Sequence, residues 1–345
     1  MTILASGLQG PKRMAKTVTY QEAGVDTRAA AALVNEIKAD VSRTQKQRQL
    51  HNSFGLFAAA FDLGDYKHPV IVTGCDGVGT KLELLLEHGM EAEAGKDLVA
   101  MSVNDIITTG GDPLLFLDYI GIEKLNPERI KRLISGMCDY LEDCGCILAG
   151  GETAEMPGLV PPEVVELSGF CIGAVEKEEM IQPETISEGD ILVGYRSDGF
   201  HANGWSLCRR ILAEHGGEFR PEEIQAMLAP TRLYHDVTNG LRKAGIRPKA
   251  YAHITGGGLP ENLERLFRGM GADLTIPFWE NEPIQKLLAH TDAADRFNAF
   301  NMGIGWVAIV DPGYAGAACA AGPGGVVIGE MRNGDGVTVK VGAQS

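Results

Sequence analysis

Apolar and polar positions follow two different periods along this chain, and each change of period marks an element. Residues 26–41 repeat near 3.6: Leu33, Val34, Ile37 and Val41 fall on one side of a helix that Asp26 is placed to cap, with Lys38 on the exposed flank. Residues 70–73 are a short β-branched run, which reads as a buried strand. After Asp97 the sequence Leu-Val-Ala-Met-Ser-Val-Asn-Asp-Ile-Ile is apolar nearly all round. That predicts a buried helix capped by Asp97, running to about Thr109 and closed by Gly110. Residues 114–122 read as a strand interrupted by Asp118. Asn126-Pro127-Glu128 then opens a helix with a cap, a first-turn proline and a first-turn acid. Ile130, Leu133, Ile134, Met137 and Leu141 form its buried stripe and Gly145 its end, and strands follow at 147–149 and 169–175.

The polar stretch 176–188 has no sustained apolar pattern and divides the chain into domains 1–178 and 179–345. Beyond it, a strand begins at Ile191, helices follow Asn203 and Pro260, and residues 306–310 form a strand. A hairpin is expected at the close, from strands 326–331 and 337–341 around Asn333-Gly-Asp-Gly336. The fold class is α/β (α+β), in two mixed domains.

Composition narrows the function classes. A length of 345 residues suits about two domains, and a hydrophobic content of 44% is ample for two cores. Net charge is −15 and no Lys/Arg block stands out, which argues against nucleic-acid or anionic-membrane partners. The seven cysteines are odd in number and have no framework spacing, as expected in a reducing cytosol. Residues 1–16 lack the apolar core of a signal peptide, and no apolar run approaches membrane-spanning length, so a cytoplasmic protein is expected.

Candidate chemistry sits where strands and buried helices meet glycine-rich breaks. After the strand at Val70 come Asp76, Gly77, Gly79, Thr80 and Lys81: a carboxylate for a hard metal ion, two permissive glycines, a hydroxyl and a cation for phosphate. The order Gly-Thr-Lys is not that of a P-loop, and Leu82 breaks the dinucleotide fingerprint. The plain alternative is a surface turn between strand and helix. Asp105, inside the buried helix, is costly to desolvate unless paired or metal-bound; otherwise it marks a polar flank facing a water-filled cleft. Glu152 lies between Gly151 and Thr153, with Glu155 near. Jointly, Asp76, Asp105 and Glu152 suit Mg²⁺, which takes a few carboxylates plus substrate phosphates.

In the second half, His201 sits in a glycine-bounded loop just before a helix that Asn203 is placed to cap. A Ser197–His201–Asp198 triad is rejected, because triad members come from separate elements and no nucleophile elbow is present. Residues 253–262, with Gly256, Gly257 and Gly258 running into a helix, read as a phosphate-type loop or as a plain glycine-rich helix start. Arg232 is either an anion contact or an exposed helix start, and Asn301 is the polar candidate of a glycine-rich strand start.

Together the motifs at 20–26, 76–82, 97–105, 116–119, 150–158, 201–204, 230–232 and 252–258 resemble those of the phosphoribosylformylglycinamidine cyclo-ligase (aminoimidazole ribonucleotide synthetase) family. The resemblance implies ATP-dependent closure of formylglycinamidine ribonucleotide to aminoimidazole ribonucleotide in purine biosynthesis, with release of ADP and phosphate. It implies catalytic His201, His253 and Asp76, and Mg²⁺ on Asp76, Asp105 and Glu152. ATP would meet Lys38, Gly77, Gly79, Thr80, Lys81 and Asn104. Substrate would meet Asp118, Asn203, Gly204, Thr255, Gly256, Gly257, Gly258 and Asn301. It further implies a homodimer whose N-terminal sheets pair into a joint barrel. The chain departs from the family's pattern at its short glycine segment 52–57 and at Cys75, Asp198, Ala202 and Ala299. Two other readings compete: a superfamily enzyme such as a thiamine-phosphate kinase or selenophosphate synthetase, and a nucleotide-binding paralogue without catalysis.

Overall fold

A computed structural model of the chain describes residues 27–52 and 57–343. Asp26, and residues 53–56 of the short glycine segment, lie outside them. The first half runs α1 (Thr27–Arg43), β1 (Pro69–Gly77), α2 (Lys81–Glu87), α3 (Glu91–Ile107), β2 (Asp112–Ile122), α4 (Pro127–Cys144), β3 (Ile147–Glu155) and β4 (Val165–Glu176). The second runs β5 (Ile191–Arg196), α5 (Trp205–His215), α6 (Pro221–Met227), α7 (His235–Lys243), β6 (Ala250–His253), α8 (Gly258–Glu264), β7 (Met270–Ile276), α9 (Glu282–Ala289), α10 (Ala293–Ala299), β8 (Ile304–Val310), α11 (Ala315–Ala320), β9 (Val326–Asn333) and β10 (Gly336–Val341).

The first sheet has the order β1-β4-β2-β3, with β2 and β3 parallel and joined through α4, and the remaining pairs antiparallel. One face is covered by α3, on which α4 packs in turn, with α1 beyond it. The two central helices approach unusually closely. A Cβ on Gly95 would drive into the Leu133 carbonyl, and one on Gly136 into the Ala92 carbonyl, so each helix presents a bare backbone where the other crosses. The caps of α4 match the sequence: Asn126 Oδ1 accepts from the Arg129 amide at 3.2 Å, and Gly145 closes the helix with φ 69°. All five stripe residues of α4 are buried.

Several expectations are corrected. Helix α3 starts at Glu91, so Asp97 is not a cap but a mid-helix residue, fully buried. Val34 faces water instead of joining the α1 stripe. Strands β1, β3 and β4 extend past their apolar runs, which carries Asp76, Gly77 and Glu152 into the sheet. The expected closing hairpin does not form. The second sheet runs β10-β7-β9-β5-β8-β6, so β7 lies between β9 and β10, antiparallel to one and parallel to the other. The turn residues are in place, with Gly334 and Gly336 at φ 90° and 91°, but the chain steps across a strand instead of folding back on its neighbour.

Candidate functional site

The two halves meet along the polar flank of α3. Asn104, fully buried, accepts from the Tyr234 amide at 3.0 Å and donates to the Arg232 carbonyl at 2.9 Å, with His253 Nε2 at 3.4 Å. Deeper in, the Lys81 ammonium lies 2.7 Å from Asp97 and donates to the Ala229 carbonyl at 2.7 Å. Asp97 also accepts from both the amide and the hydroxyl of Thr231, each at 2.6 Å. Burial pulls the Lys81 amine below its usual range even with Asp97 beside it. Lys81 and Asn104, expected near nucleotide, join the halves: both are sealed from solvent and both donate to backbone carbonyls of the second half.

Beside this seam, three predicted groups converge. Asp105 leaves α3 on the water side, with its side chain 49% exposed, and accepts from His253 Nδ1 at 2.9 Å. The water-filled alternative is thus the one realised. Asp76, near the end of β1, feels both groups: burial, then the facing Asp105 charge, push its carboxyl up, while its Gly77 amide bond and His253 pull it down. Two carboxylates that repel one another, one of them bonded to an imidazole, form an oxygen-rich niche that a divalent cation would relieve.

His201 is near but sealed. It is fully buried at φ 60°, and burial, helped by His253, Lys81 and Arg232, holds its imidazole well below the usual range. Nε2 takes the Arg232 amide at 3.4 Å and, among the described residues, Nδ1 has no hydrogen-bond partner. Gly305 makes room for it, since a Cβ there would strike the His201 ring and the Tyr234 hydroxyl. His201, a neutral buried ring, holds its loop; His253 is buried as well but is bonded to the exposed Asp105. Asn301 is likewise engaged: it accepts from Ser197 and the Gly303 amide and donates to the Gly199 carbonyl. Buried, it braces the His201 loop. Ser197, bonded to Asn301, takes no part in a triad.

The remaining candidates divide. Gly79 (φ 66°) and Thr80 form the turn between β1 and α2, where the Thr80 hydroxyl lies 3.1 Å from Ser206 of the second half. Gly204, at φ 79°, supplies the start of α5, so Asn203 does not cap it; the Asn203 Nδ2 is buried without a partner among the described residues. Asn203 neighbours Gly256, the exposed member of the Thr255–Gly258 turn, which Asn262 braces by donating to three carbonyls. Arg232 is engaged by two carbonyls and Asp236.

Other residues stand apart from the cluster. Lys38 is exposed on α1, whose main contacts are with α4. Glu152 is exposed on β3 in register with Tyr119 and Ser168, one step out of phase with the row of Asp76, Gly169 and Asp118. Because strand side chains alternate, Glu152 leaves the face opposite Asp76, apart from Asp76 and Asp105. Cys75 shares that outer face, away from Asp76, so its thiol does not stand where a metal hydroxyl ligand would. Asp118 is 8% exposed, and burial, with Glu152 near, pushes its carboxyl up to about 7. It borders a cleft of about 720 Å³ that also includes Thr73, Tyr119, Glu152 and Phe170. Sequence reasoning grouped Asp76 and Asp105 with Glu152 and placed His253 apart from them. It missed the Lys81–Asp97–Thr231 knot, whose only sequence signal is an acid inside an otherwise apolar helix.

Comparison with known proteins agrees with this architecture. Residues 58–175 match the family model of the AIR synthase related protein N-terminal domain, and residues 187–342 that of its C-terminal domain. A phosphoribosylformylglycinamidine cyclo-ligase of Albidiferax ferrireducens is 43% identical over 319 residues, covering 89% of this chain and 90% of that protein. One of Oceanobacillus iheyensis is 41% identical, covering 84% and 88%. Among solved structures, thiamine-monophosphate kinase from Stenotrophomonas maltophilia superposes with a TM-score of 0.66 at 18% identity, covering 89% of this chain and 95% of that one. Hydrogenase maturation protein HypE in complex with ATP gives 0.67 at 17%, covering 92% and 93%. At such identities these two likenesses speak for the fold.

Proposed function

The chain belongs to the phosphoribosylformylglycinamidine cyclo-ligase family, and from that premise we propose that Asp76, Asp105 and His253 form the centre at which its reaction is run. The reaction is the ATP-dependent closure of formylglycinamidine ribonucleotide to aminoimidazole ribonucleotide in purine biosynthesis. The formyl-derived amide oxygen attacks the γ-phosphorus of ATP and ADP leaves. A substrate nitrogen then attacks the resulting phosphorylated imidate carbon, the ring closes, and phosphate departs with the oxygen. Little covalent work falls to the protein; its share is alignment and charge neutralisation.

The observation that carries this assignment is the convergence of the three groups at the water-facing end of the seam. Mg²⁺ fits the pair Asp76 and Asp105, whose charges oppose one another; when bound there it would neutralise phosphate oxygens. His253, aligned by Asp105, can hold or pass the proton shed by the cyclising nitrogen. The turn at Gly79–Thr80 and the exposed Gly256 flank the seam and offer backbone donors to anionic groups. His201, Lys81, Asn104 and Asn301 act through position.

The domain extents 1–178 and 179–345, with nucleotide and subunit contact in the first and substrate loops in the second, are part of this reading. So is a homodimer. The outer face of the first sheet exposes Ile71 by 51%, Phe170 by 42% and Tyr119 by 36%, a cluster of large apolar groups that a second copy would cover.

The test is an assay of purified protein with Mg-ATP and formylglycinamidine ribonucleotide, following ADP and aminoimidazole product together. Matched, Mg²⁺-dependent appearance of both is expected, with loss of both in Asp105→Asn. Near-parental turnover in that variant would remove Asp105, and the proposed centre, from the mechanism. ADP without product would instead favour a kinase-like activity.

A further inference from the structure

We propose that His215, Glu218 and His290 form a binding site for one transition-metal ion of the zinc class, at the opposite end of α5 from the reaction centre. His215 is the last residue of α5, Glu218 lies in the turn that follows, and His290 is the capping residue just after α9. The α5 helix begins at Trp205, whose indole donates to the His201 carbonyl. Its length sets the proposed site about 15 Å away from that point.

The donor chemistry selects the metal class. Two imidazoles and one carboxylate are the ligands of an open zinc site, whereas Mg²⁺ and Ca²⁺ require an oxygen shell that this set lacks. The geometry is close to what such an ion needs. His215 Nδ1 and His290 Nε2 each lie 3.1 Å from a different oxygen of the same Glu218 carboxylate. All three donor atoms lie within 4.8 Å of one another. Donors held tetrahedrally at about 2.1 Å from an ion are roughly 3.4 Å apart, so shifts of an ångström or so convert one arrangement to the other. The rings are stacked, with centroids 4.1 Å apart and planes 24° apart. Convergence on one ion needs a further turn about χ2, which is soft in histidine.

The surroundings free the carboxylate for this use. Lys286 is committed to the Glu218 backbone carbonyl and to Glu223, and lies over the Phe219 ring, so the only hydrogen-bond partners of the Glu218 carboxylate among the described residues are the two imidazoles. The chain's net charge of −15 favours a cation at any exposed site. Closing the site would tie the end of α5 to the end of α9.

The experiment uses the full chain, stripped with chelator and free of nucleotide. It is titrated with Zn²⁺ by calorimetry and with Co²⁺ by visible absorption. The expected result is one saturable Zn²⁺ per chain and the d–d bands of four-coordinate Co²⁺ with nitrogen and oxygen ligands. Glu218→Gln should weaken binding at least about tenfold, and His215→Gln/His290→Gln should abolish it, with circular dichroism and Mg-ATP turnover unchanged. Zn²⁺ uptake undiminished in the double variant, a thiolate-to-cobalt charge-transfer band, or no saturable uptake by the parent would each overturn the proposal.

Discussion

Burial pushes the Asp118 carboxyl up to about 7, against an unfolded value near 3.9. Between those values the folded chain holds a proton that the unfolded chain has released, so stability falls as pH rises from about 4 to 7. At about 1.4 kcal/mol per unit, the loss reaches at most roughly 4 kcal/mol. Asp118→Asn should erase it: the variant should gain on the parent between pH 5 and pH 8 in urea unfolding, and a constant difference would show the carboxyl ionises normally. Asp76→Asn and Asp105→Asn should lower kcat/KM by about 100-fold or more with little change in unfolding midpoint, because each removes charge from the niche without opening a cavity. Asp105 was legible in the sequence because a lone acid in a run of apolar residues has to face something polar. Lys81 and Asp97 were not legible as a pair: their third member, Thr231, lies 134 residues from Asp97, and nothing local distinguishes a buried lysine from a solvated one.

Elements were readable where their signals are local. Helix α4 carries its own cap, stripe and terminator, and forms at the residues those signals mark. Helix α3 was misread at its start because Asp97 has the chemistry of a cap and is instead a buried mid-helix residue, two positions beyond the crossing point at Gly95. Gly136→Val should therefore cost about 2 kcal/mol or more, read by chemical denaturation, since the Ala92 backbone has nowhere to go. Between elements, Lys81→Met leaves Asp97 charged and buried, a loss of about 3–5 kcal/mol. Lys81→Met with Asp97→Leu should recover most of it. If the single and double variants are equally unstable, the ion pair does not hold the seam.

At the scale of the whole molecule, two mixed domains follow from alternating patterns, but the order of strands in a sheet is not written in any segment. Subunit contact is testable through Cys75, which is exposed on the outer face of the first sheet while Cys138, Cys144, Cys146, Cys171 and Cys208 are buried. Cys75 should resist a thiol reagent in the parent and react in Phe170→Glu, which should also sediment as a single chain; equal reactivity and mass would exclude that face as the interface. The insertion of β7 between β9 and β10 has a kinetic consequence. Only two residues separate β9 from β10, yet β10 pairs with β7 alone, some 65 residues earlier at the Asp273–Thr338 contact. No zipping from a tight turn can lay β10 down, so its place must be templated by an edge that already exists. In pulse-labelled hydrogen exchange, β10 amides should gain protection after those of β9, and until they do the open edge of β7 is where refolding chains would stick to one another.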